Sequence, residues 1–432
     1  VGAGPAKVRG DERRAALIAV GDELLNGQQL DTNSSWLSQA LAEQGFEVLG
    51  FSVVGDDEVA IAERIGELAG RVELLILTGG LGPTLDDVTR HAVARAVGVD
   101  LERDDEVLEG LRRLFARRGR EMAAPNERQA LFPRGATVFE NQAGTAPGFR
   151  IRHGAGAWLV SLPGPPRELQ PMFAGALVPW LATALPRRTR VDVANFYLYG
   201  LSESDFAADV GDWMSREADP RIGVCASGRV LKVRIEGRRS AGCGSSPQFL
   251  ERVAAFRARF AQAIFSETQP SVAHALAELL VHHGLTFACA ESCTGGEIAS
   301  RLVDVPGISA VFLEGFVTYS NAAKVARLGV APDLLATHGA VSAEVAAAMA
   351  AGAARVSGAR LALSTTGIAG PEGGSPEKPV GLVQVGLCLD GEVEVSELRL
   401  PPRGRDLIRD WAATSACELA RRAVVASLGG PD

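Results

Sequence analysis

The chain has no paired CxxC motif: its six cysteines stand apart at 225, 243, 289, 293, 388 and 417. That scatter excludes a zinc ribbon, offers no disulfide framework, and points to a reducing, cytoplasmic setting. Positive charge is not in excess. Lys and Arg total 44 against 52 Asp and Glu, a net charge of −8, which argues against a general binder of nucleic acid or anionic membrane. The basic run Arg112–Arg120 (RRLFARRGR) reads as the solvated face of a helix. Long unbroken apolar runs are missing too. Residues 169–186 carry no charge but contain Pro171, Pro179 and Pro186, so a buried helix with a break is predicted there, not a membrane span. The first fifteen residues lack an apolar core and are expected to be an extension, not a signal peptide.

What is present is a long, apolar chain (432 residues, 47% apolar) with room for two or three cored domains. Strand and helix patterns alternate in two stretches. LIAV (17–20), FEVLGFSVV and ELLILT (73–78) read as strands. DTNSSWLSQALAEQG and the segments from Glu58 to Ala69 and up to Gly98 read as helices, and AWLVSLPGPPREL (157–169) repeats the unit. The alternation resumes at Ser271, with strands at LTFACA, GFVTYS and ARLALSTTG, an Ala-rich helix capped by Ser342, a hairpin turning at Asp390-Gly391, and a last helix from Arg405. Between them lies a different pattern: two strands joined at Ser227-Gly228, then an amphipathic helix. The predicted class is α/β, with two three-layer α/β domains built on mainly parallel sheets, at 16–175 and 266–432, joined by a small α+β domain at 176–265.

In open parallel sheets ligands sit beyond the carboxyl ends of the strands. TGGLGPTLDD (78–87) follows one such end. Gly79, Gly80 and Gly82 let backbone N–H groups approach an anion, and Thr84 stands at a helix start suited to phosphate. Helix capping and dipole compensation would explain the same residues. Asp22 and Glu23 follow the first strand and Asp56 and Asp57 the second. With Asp86 and Asp87 they would crowd a phosphate unless a divalent cation bridges them. GxxxxGK and GxGxxG are both absent there, so it is neither a Walker loop nor a dinucleotide fingerprint.

The second stretch offers ESCTGG (291–296). Ser292 would point into the crevice, while Thr294, Gly295 and Gly296 supply N–H groups for a phosphate or oxyanion. A serine needs a base. His274, His282, His283 and His338 are weak candidates. Lys324, desolvated in a crevice, is a better one, with Tyr319 near it in sequence and Thr366, in the Gly-rich TTGIAGPEGG (365–374), as a hydroxyl donor. Read blandly, Ser292 is a cap, Lys324 a solvated helix residue and Cys293 a small filler.

Taken together, GDELLNGQQLDTNSSWL, TGGLGPTLDDVT, LPGPPREL, AESCTGG, VTYSNAAKVARLGV and TTGIAGPEGGSPEKPVGLV resemble the CinA family of competence/damage-inducible proteins. The resemblance implies a molybdopterin-binding-like N-terminal half that hydrolyses ADP-ribose with a divalent metal (Mg, Mn or Co). It also implies a C-terminal nicotinamide-nucleotide amidase that needs no cofactor and converts nicotinamide mononucleotide to nicotinate mononucleotide and ammonia. The amidase residues it implies are Ser292, Tyr319, Lys324, Thr366 and, on the last helix, Arg409, with Gly367 and Gly370 beside the substrate. In the first half it implies Asp87 as the catalytic carboxylate, Asp22, Asp56, Asp86 and Asp87 as metal ligands, and Asn33 with Gly79, Gly80, Gly82 and Thr84 as substrate contacts. The middle segment looks like a KH-type subdomain, yet residues 176–265 contain no GxxG clamp, so no nucleic-acid partner is expected. Small nucleotides are the expected ligands and a homodimer the expected assembly. The competing reading is a non-catalytic pterin- or nucleotide-binding adaptor in competence or DNA damage.

Overall fold

The computed structural model describes residues 13–186, 189–215, 217–240 and 244–429. The expected extension at 1–15 lies outside these except for its last three residues, which already belong to the first strand; Cys243 also lies outside. The chain divides into two compact units, Val1–Asp192 with Arg238–Ser245 and Val193–Gly237 with Ser246–Asp432.

In the first unit β1 (Arg13–Val20) lies between β2 (Phe46–Val54) and β3 (Leu74–Thr78), all parallel. A short ladder of β4 (Leu101–Arg103) and β5 (Leu131–Pro133) stands apart. β6 (Thr137–Phe139), β7 (Gly148–Arg152) and β8 (Trp158–Leu162) complete the main sheet in the order β2-β1-β3-β8-β7-β6. β8 is parallel to β3, while β7 and β6 turn antiparallel. The helices are α1 (Asp22–Leu25), α2 (Thr32–Glu43), α3 (Glu58–Ala69), α4 (Thr89–Val97), α5 (Asp105–Arg117), α6 (Pro166–Met172) and α7 (Val178–Ala184). Side chains alternate across a strand. Ala15 and Leu17 accordingly pack with Leu37, Leu41 and Leu169 on one face, and Ala16, Ile18 and Val20 with Ile61, Ile65 and Val93 on the other. This is the three-layer arrangement. Asp31 and Asp57 start α2 and α3 by accepting the N–H groups of Ser34 (2.9 Å) and Ala60 (2.8 Å).

The charge-free stretch from Leu169 is helical but interrupted, with one π-turn at Phe173–Leu177 between α6 and α7. It continues past residue 175 because Leu177, Leu181 and Leu185 complete the same apolar face as Leu169 and Phe173. Among the described residues no helix is long and apolar enough to cross a membrane.

In the middle segment β9 (Thr189–Tyr199), α8 (Glu203–Val210), β10 (Arg221–Ser227), β11 (Val230–Ser240), α9 (Pro247–Arg259) and β12 (Ile264–Ser266) form an α+β layer with strand order β10-β11-β9-β12. Its core is aromatic: Phe256 lies 4.7 Å from both Phe196 and Phe260, ring centre to ring centre. From Val193 to Gly237 and from Ser246 this layer belongs to the second unit. There the Tyr199 hydroxyl donates to Ser415 Oγ at 2.6 Å.

The rest of the second unit comprises α10 (Val272–His283), β13 (Phe287–Glu291), α11 (Glu297–Val303), β14 (Phe312–Val317), α12 (Asn321–Leu328), α13 (Pro332–His338), α14 (Ala343–Ser357), β15 (Leu361–Gly367), β16 (Leu382–Leu389), β17 (Glu392–Arg399) and α15 (Arg405–Ser427). The sheet runs β14-β13-β15-β16-β17, its first three strands parallel and the β16–β17 hairpin antiparallel. Phe287 and Cys289 of β13 face α10 and α15, while Ala290 faces α12 and α14. The alanines of α14 permit close approach. At Gly386 on β16 an added Cβ would lie 2.4 Å from the Ala346 carbonyl oxygen. Glu291, the last residue of β13, lies in register beside Thr365 of β15, and this parallel edge holds the site described next.

Candidate active site

β13 ends on Glu291, whose buried carboxylate folds the turn that follows. Its oxygens accept the N–H groups of Gly296 (3.0 Å), Ile298 (3.1 Å) and Ala299 (2.9 Å). A carboxylate at a helix N-terminus satisfies donors that would otherwise be orphaned. The main chain is tied on both sides: Ser292 N–H donates to the Thr365 carbonyl (3.0 Å), and Thr318 N–H to the Glu291 carbonyl (2.9 Å). Gly295 and Gly296 take left-handed φ values of 64° and 94°, which a side chain would resist. Inside this frame Ser292 is 9% exposed and Lys324 on α12 is 1% exposed. Lys324 Nζ lies 2.9 Å from Ser292 Oγ, 2.8 Å from the Thr318 carbonyl oxygen and 3.4 Å from that of Tyr319. None of these partners is a carboxylate, and burial lowers the lysine pKa below its ordinary value, with Cys293 pulling the other way. The Cys293 thiol is itself pushed up to about 12 by burial, so it stays protonated and fills space.

The other expected residues gather around this pair in different roles. The Thr294 hydroxyl shares a hydrogen bond with Thr365 (2.7 Å), and its carbonyl accepts from Arg409 (2.9 Å). Thr366 is buried and donates to the Ala340 carbonyl (2.7 Å), which fixes the end of β15. Gly367 lets β15 press against β16, since a Cβ there would meet the Leu382 carbonyl oxygen at 2.7 Å. The Tyr319 phenol, expected beside Lys324, is 60% exposed and accepts from Arg405 (2.9 Å); only its carbonyl reaches the lysine. No histidine bonds to Ser292 or Lys324 among the described residues; the His338 ring instead lies 3.3 Å from Glu344.

One contributor escaped the sequence reading: Arg405 ties Tyr319 to the second Gly-rich loop through the Gly370 carbonyl (2.8 Å). Glu291 opens the ESCTGG stretch already singled out in the sequence, and its role is to cap the turn and helix that follow.

In the first unit the Gly-rich turn and Glu23, Asp56, Asp86 and Asp87 line one cleft of about 610 Å³ at the ends of β1, β3 and β8. At Gly79 (φ 96°) a Cβ would sit 2.3 Å from the Val20 carbonyl oxygen, so the turn runs where only glycine fits. Gly80 packs as closely against the Thr89 hydroxyl. Asn33 donates to the Gly164 carbonyl (2.6 Å), joining the start of α2 to the LPGPP turn.

Asp87 was expected as catalytic carboxylate and metal ligand. Its oxygens are instead taken by the loop: Oδ1 accepts from Gly82 N–H (2.7 Å), and Oδ2 from Thr84 N–H (2.8 Å) and the Thr84 hydroxyl. Asp86 is exposed, and the Thr84 hydroxyl and its own backbone N–H, then Arg128, hold it below the usual carboxylate range. Asp22 and Asp56 clasp each other, the N–H of Asp22 donating to Asp56 Oδ2 (3.0 Å) and that of Asp56 to Asp22 Oδ1 (3.2 Å). The Asp56 carboxyl is pushed up by burial and by the charges of Asp22, Glu23 and Asp86, while the Asp22 N–H opposes the shift. Among the described residues no three His, Cys, Asp or Glu side chains converge to hold a metal ion by protein ligands alone. One oxygen each of Asp22 and Asp56 remains outside the clasp, a donor set suited to a cation that takes its other ligands from phosphate and water.

The architecture is that of a protein with two α/β heads, each presenting a Gly-rich turn at the ends of parallel strands. Residues 16–183 match the family model described as a probable molybdopterin binding domain, and residues 269–424 the CinA C-terminal domain. A competence-damage inducible protein of Symbiobacterium thermophilum is 41% identical over 420 residues, spanning 94% of this chain and 98% of that protein. A CinA-like protein of Geobacter sulfurreducens is 42% identical over 416 residues, 95% and 98% of the two chains. The chain belongs to the CinA family. Among solved structures, competence/damage inducible protein CihA of Agrobacterium tumefaciens is 43% identical and aligns with 37% of this chain and 99% of its own, with a TM-score of 0.34.

Proposed function

We propose that the second unit hydrolyses the carboxamide of nicotinamide mononucleotide to nicotinate mononucleotide and ammonia. The observation that carries this reading is the buried Lys324 Nζ, 2.9 Å from Ser292 Oγ and hydrogen-bonded only to uncharged oxygens. A desolvated lysine without a counter-ion holds its proton weakly and serves as a base. Neutral Lys324 takes the Ser292 proton as Oγ attacks the carboxamide carbon. The same proton then passes to the departing nitrogen, and ammonia leaves an ester on Ser292. Water, deprotonated by Lys324, cleaves that ester and restores the serine. The Gly295 N–H has no acceptor among the described residues and is free to meet the oxyanion. Arg405 and Arg409 at the start of α15 supply positive charge for a 5′-phosphate. The test is ammonia release from nicotinamide mononucleotide by the purified protein beside Ser292→Ala. Release by wild type alone is expected; none from a folded wild type would reject the reading.

A second activity, hydrolysis of ADP-ribose in the first unit with a divalent cation (Mg, Mn or Co), is favoured by the paired Asp22 and Asp56, where burial and then neighbouring negative charge push the Asp56 carboxyl up. Asp22 and Asp56 would hold the cation, which would offset phosphate charge. The N–H groups of Gly79, Gly82 and Thr84 are taken by Leu162 and Asp87, which shape the loop and leave the Gly80–Leu81 backbone to meet the phosphates. Cleavage that persists in excess chelator would remove the cation from this account.

A further inference from the structure

A guanidinium serves a phosphate best while no carboxylate of the protein has claimed its charge. Arg409 has two carboxylates close by. Its Nη2 donates to the Thr294 carbonyl at 2.9 Å and lies 3.8 Å from Oε2 of Glu297, in the first turn of α11. The next residue along α15, Asp410, carries the second. Left uncompensated, these two charges would draw the guanidinium toward themselves and repel a phosphate.

Arg301 answers both. It stands one turn along α11 from Glu297. Its Nη2 donates to Glu297 Oε1 (2.5 Å) and to Asp410 Oδ1 (2.7 Å), and its Nη1 to the Thr414 hydroxyl (2.9 Å) and the Asp410 carbonyl (3.4 Å). One side chain thus pairs with two carboxylates and grips the main chain beside Arg409. No other cation takes that place among the described residues. Arg229 and Lys232 line a small cavity of about 180 Å³ with Arg301 and Asp410, but neither forms an ion pair there, and the Arg229 guanidinium lies over the Tyr199 ring, 5.6 Å from its centre. The Asp410 side chain is 43% exposed and that of Glu297 24%. Water therefore screens Asp410 more, and Glu297 is the charge that most needs Arg301.

We infer that Arg301 is a positioning residue that sets the preference of the second unit for a phosphorylated substrate. It neutralises Glu297 and anchors Asp410, so the charge of Arg409 stays available to the 5′-phosphate. None of its bonds reaches Ser292 or Lys324. This rests on the reading of the second unit as an amidase acting on nicotinamide mononucleotide. A clamp that merely fastened α11 to α15 would affect substrates with and without the phosphate alike.

The test is steady-state ammonia release by the full-length protein from nicotinamide mononucleotide and from nicotinamide riboside, the same carboxamide without the phosphate. Wild type should favour the mononucleotide in kcat/KM. Arg301→Met should cut that preference by about tenfold, the scale of one lost charge-assisted contact, through a raised KM for the mononucleotide with kcat little changed. Adding Glu297→Gln removes the uncompensated charge and should restore most of the preference. Arg301→Lys keeps the cation and should retain most of it. A preference left whole in Arg301→Met overturns the inference, and so does a loss that Glu297→Gln fails to restore, because the loss is then structural. Should Arg301→Met not fold, Glu297→Gln alone decides: with its competitor gone, Arg409 should hold or increase the preference, and a reduced preference overturns the inference. Wild type that hydrolyses both compounds equally well overturns it and leaves the amidase standing. Wild type that releases ammonia from neither rejects the amidase reading itself, and this inference with it.

Discussion

The two Gly-rich turns of this chain are folded by the same device and left with different equipment. In each, a carboxylate accepts loop or helix N–H groups: Asp87 holds Gly82 and Thr84, and Glu291 holds Gly296, Ile298 and Ala299. At the second turn this leaves a nucleophile and a base 2.9 Å apart inside the protein. At the first it leaves a wide cleft, a clasped pair of aspartates and backbone amides. A carboxylate beside a glycine-rich turn is therefore poor evidence for catalysis by that carboxylate. It is first a way to close the turn, and the chemistry depends on what the closed turn leaves unpaired.

The sharpest break of this contrast comes from Lys324→Met. Amide hydrolysis should fall by at least about 10²–10⁴-fold, the usual worth of general-base help, while ADP-ribose cleavage is unchanged. Ammonia assays on the variant decide it, and near-normal turnover would put both heads in the same class. Next comes the pH profile. Burial lowers the Lys324 pKa, so the neutral base is the form favoured as pH rises. The kcat/KM for amide hydrolysis should climb to a plateau, with a midpoint below the ordinary lysine value of about 10.4. A rate that falls as pH rises through this range would mean that the protonated lysine is the active form. The smallest effect concerns the first turn. Asp87→Asn removes an acceptor for loop donors and should destabilise the protein by about 1–2 kcal/mol in urea unfolding, with amide hydrolysis intact. An Asp87→Asn protein of full stability would show that the loop does not need its carboxylate.

Much of the architecture was legible because strand and helix differ in period. Phe46–Val54 and Glu58–Ala69 begin and end as the pattern of apolar residues and caps predicts. Ser342 caps α14, and Asp390-Gly391 turns the β16–β17 hairpin. The Ser292–Lys324 pair was legible only as two residues with suitable chemistry 32 positions apart. What the sequence does not carry is which way a side chain turns once neighbours compete for it. Tyr319 follows a strand that brings its carbonyl to Lys324, so its ring projects to solvent and meets Arg405. Arg409 was anticipated as a site residue, whereas Arg405 was anticipated only as the start of the last helix, because its bonds to Gly370 and Tyr319 join segments far apart in sequence. Asp22 and Asp56 come from different strand ends. Their reciprocal clasp depends on β1 and β2 being parallel neighbours, a pairing that alternation suggests but does not specify.

The burial of Lys324 has a price in robustness. Between its lowered folded pKa and the ordinary value of the unfolded chain, the unfolded form binds the extra proton, so stability rises with pH through that window and is lowest on its acid side. An uncharged residue of similar length escapes that penalty altogether. Selection of this protein for heat resistance alone would thus favour loss of Lys324, and a thermally hardened variant should be assayed for turnover before its hardness is credited to better packing.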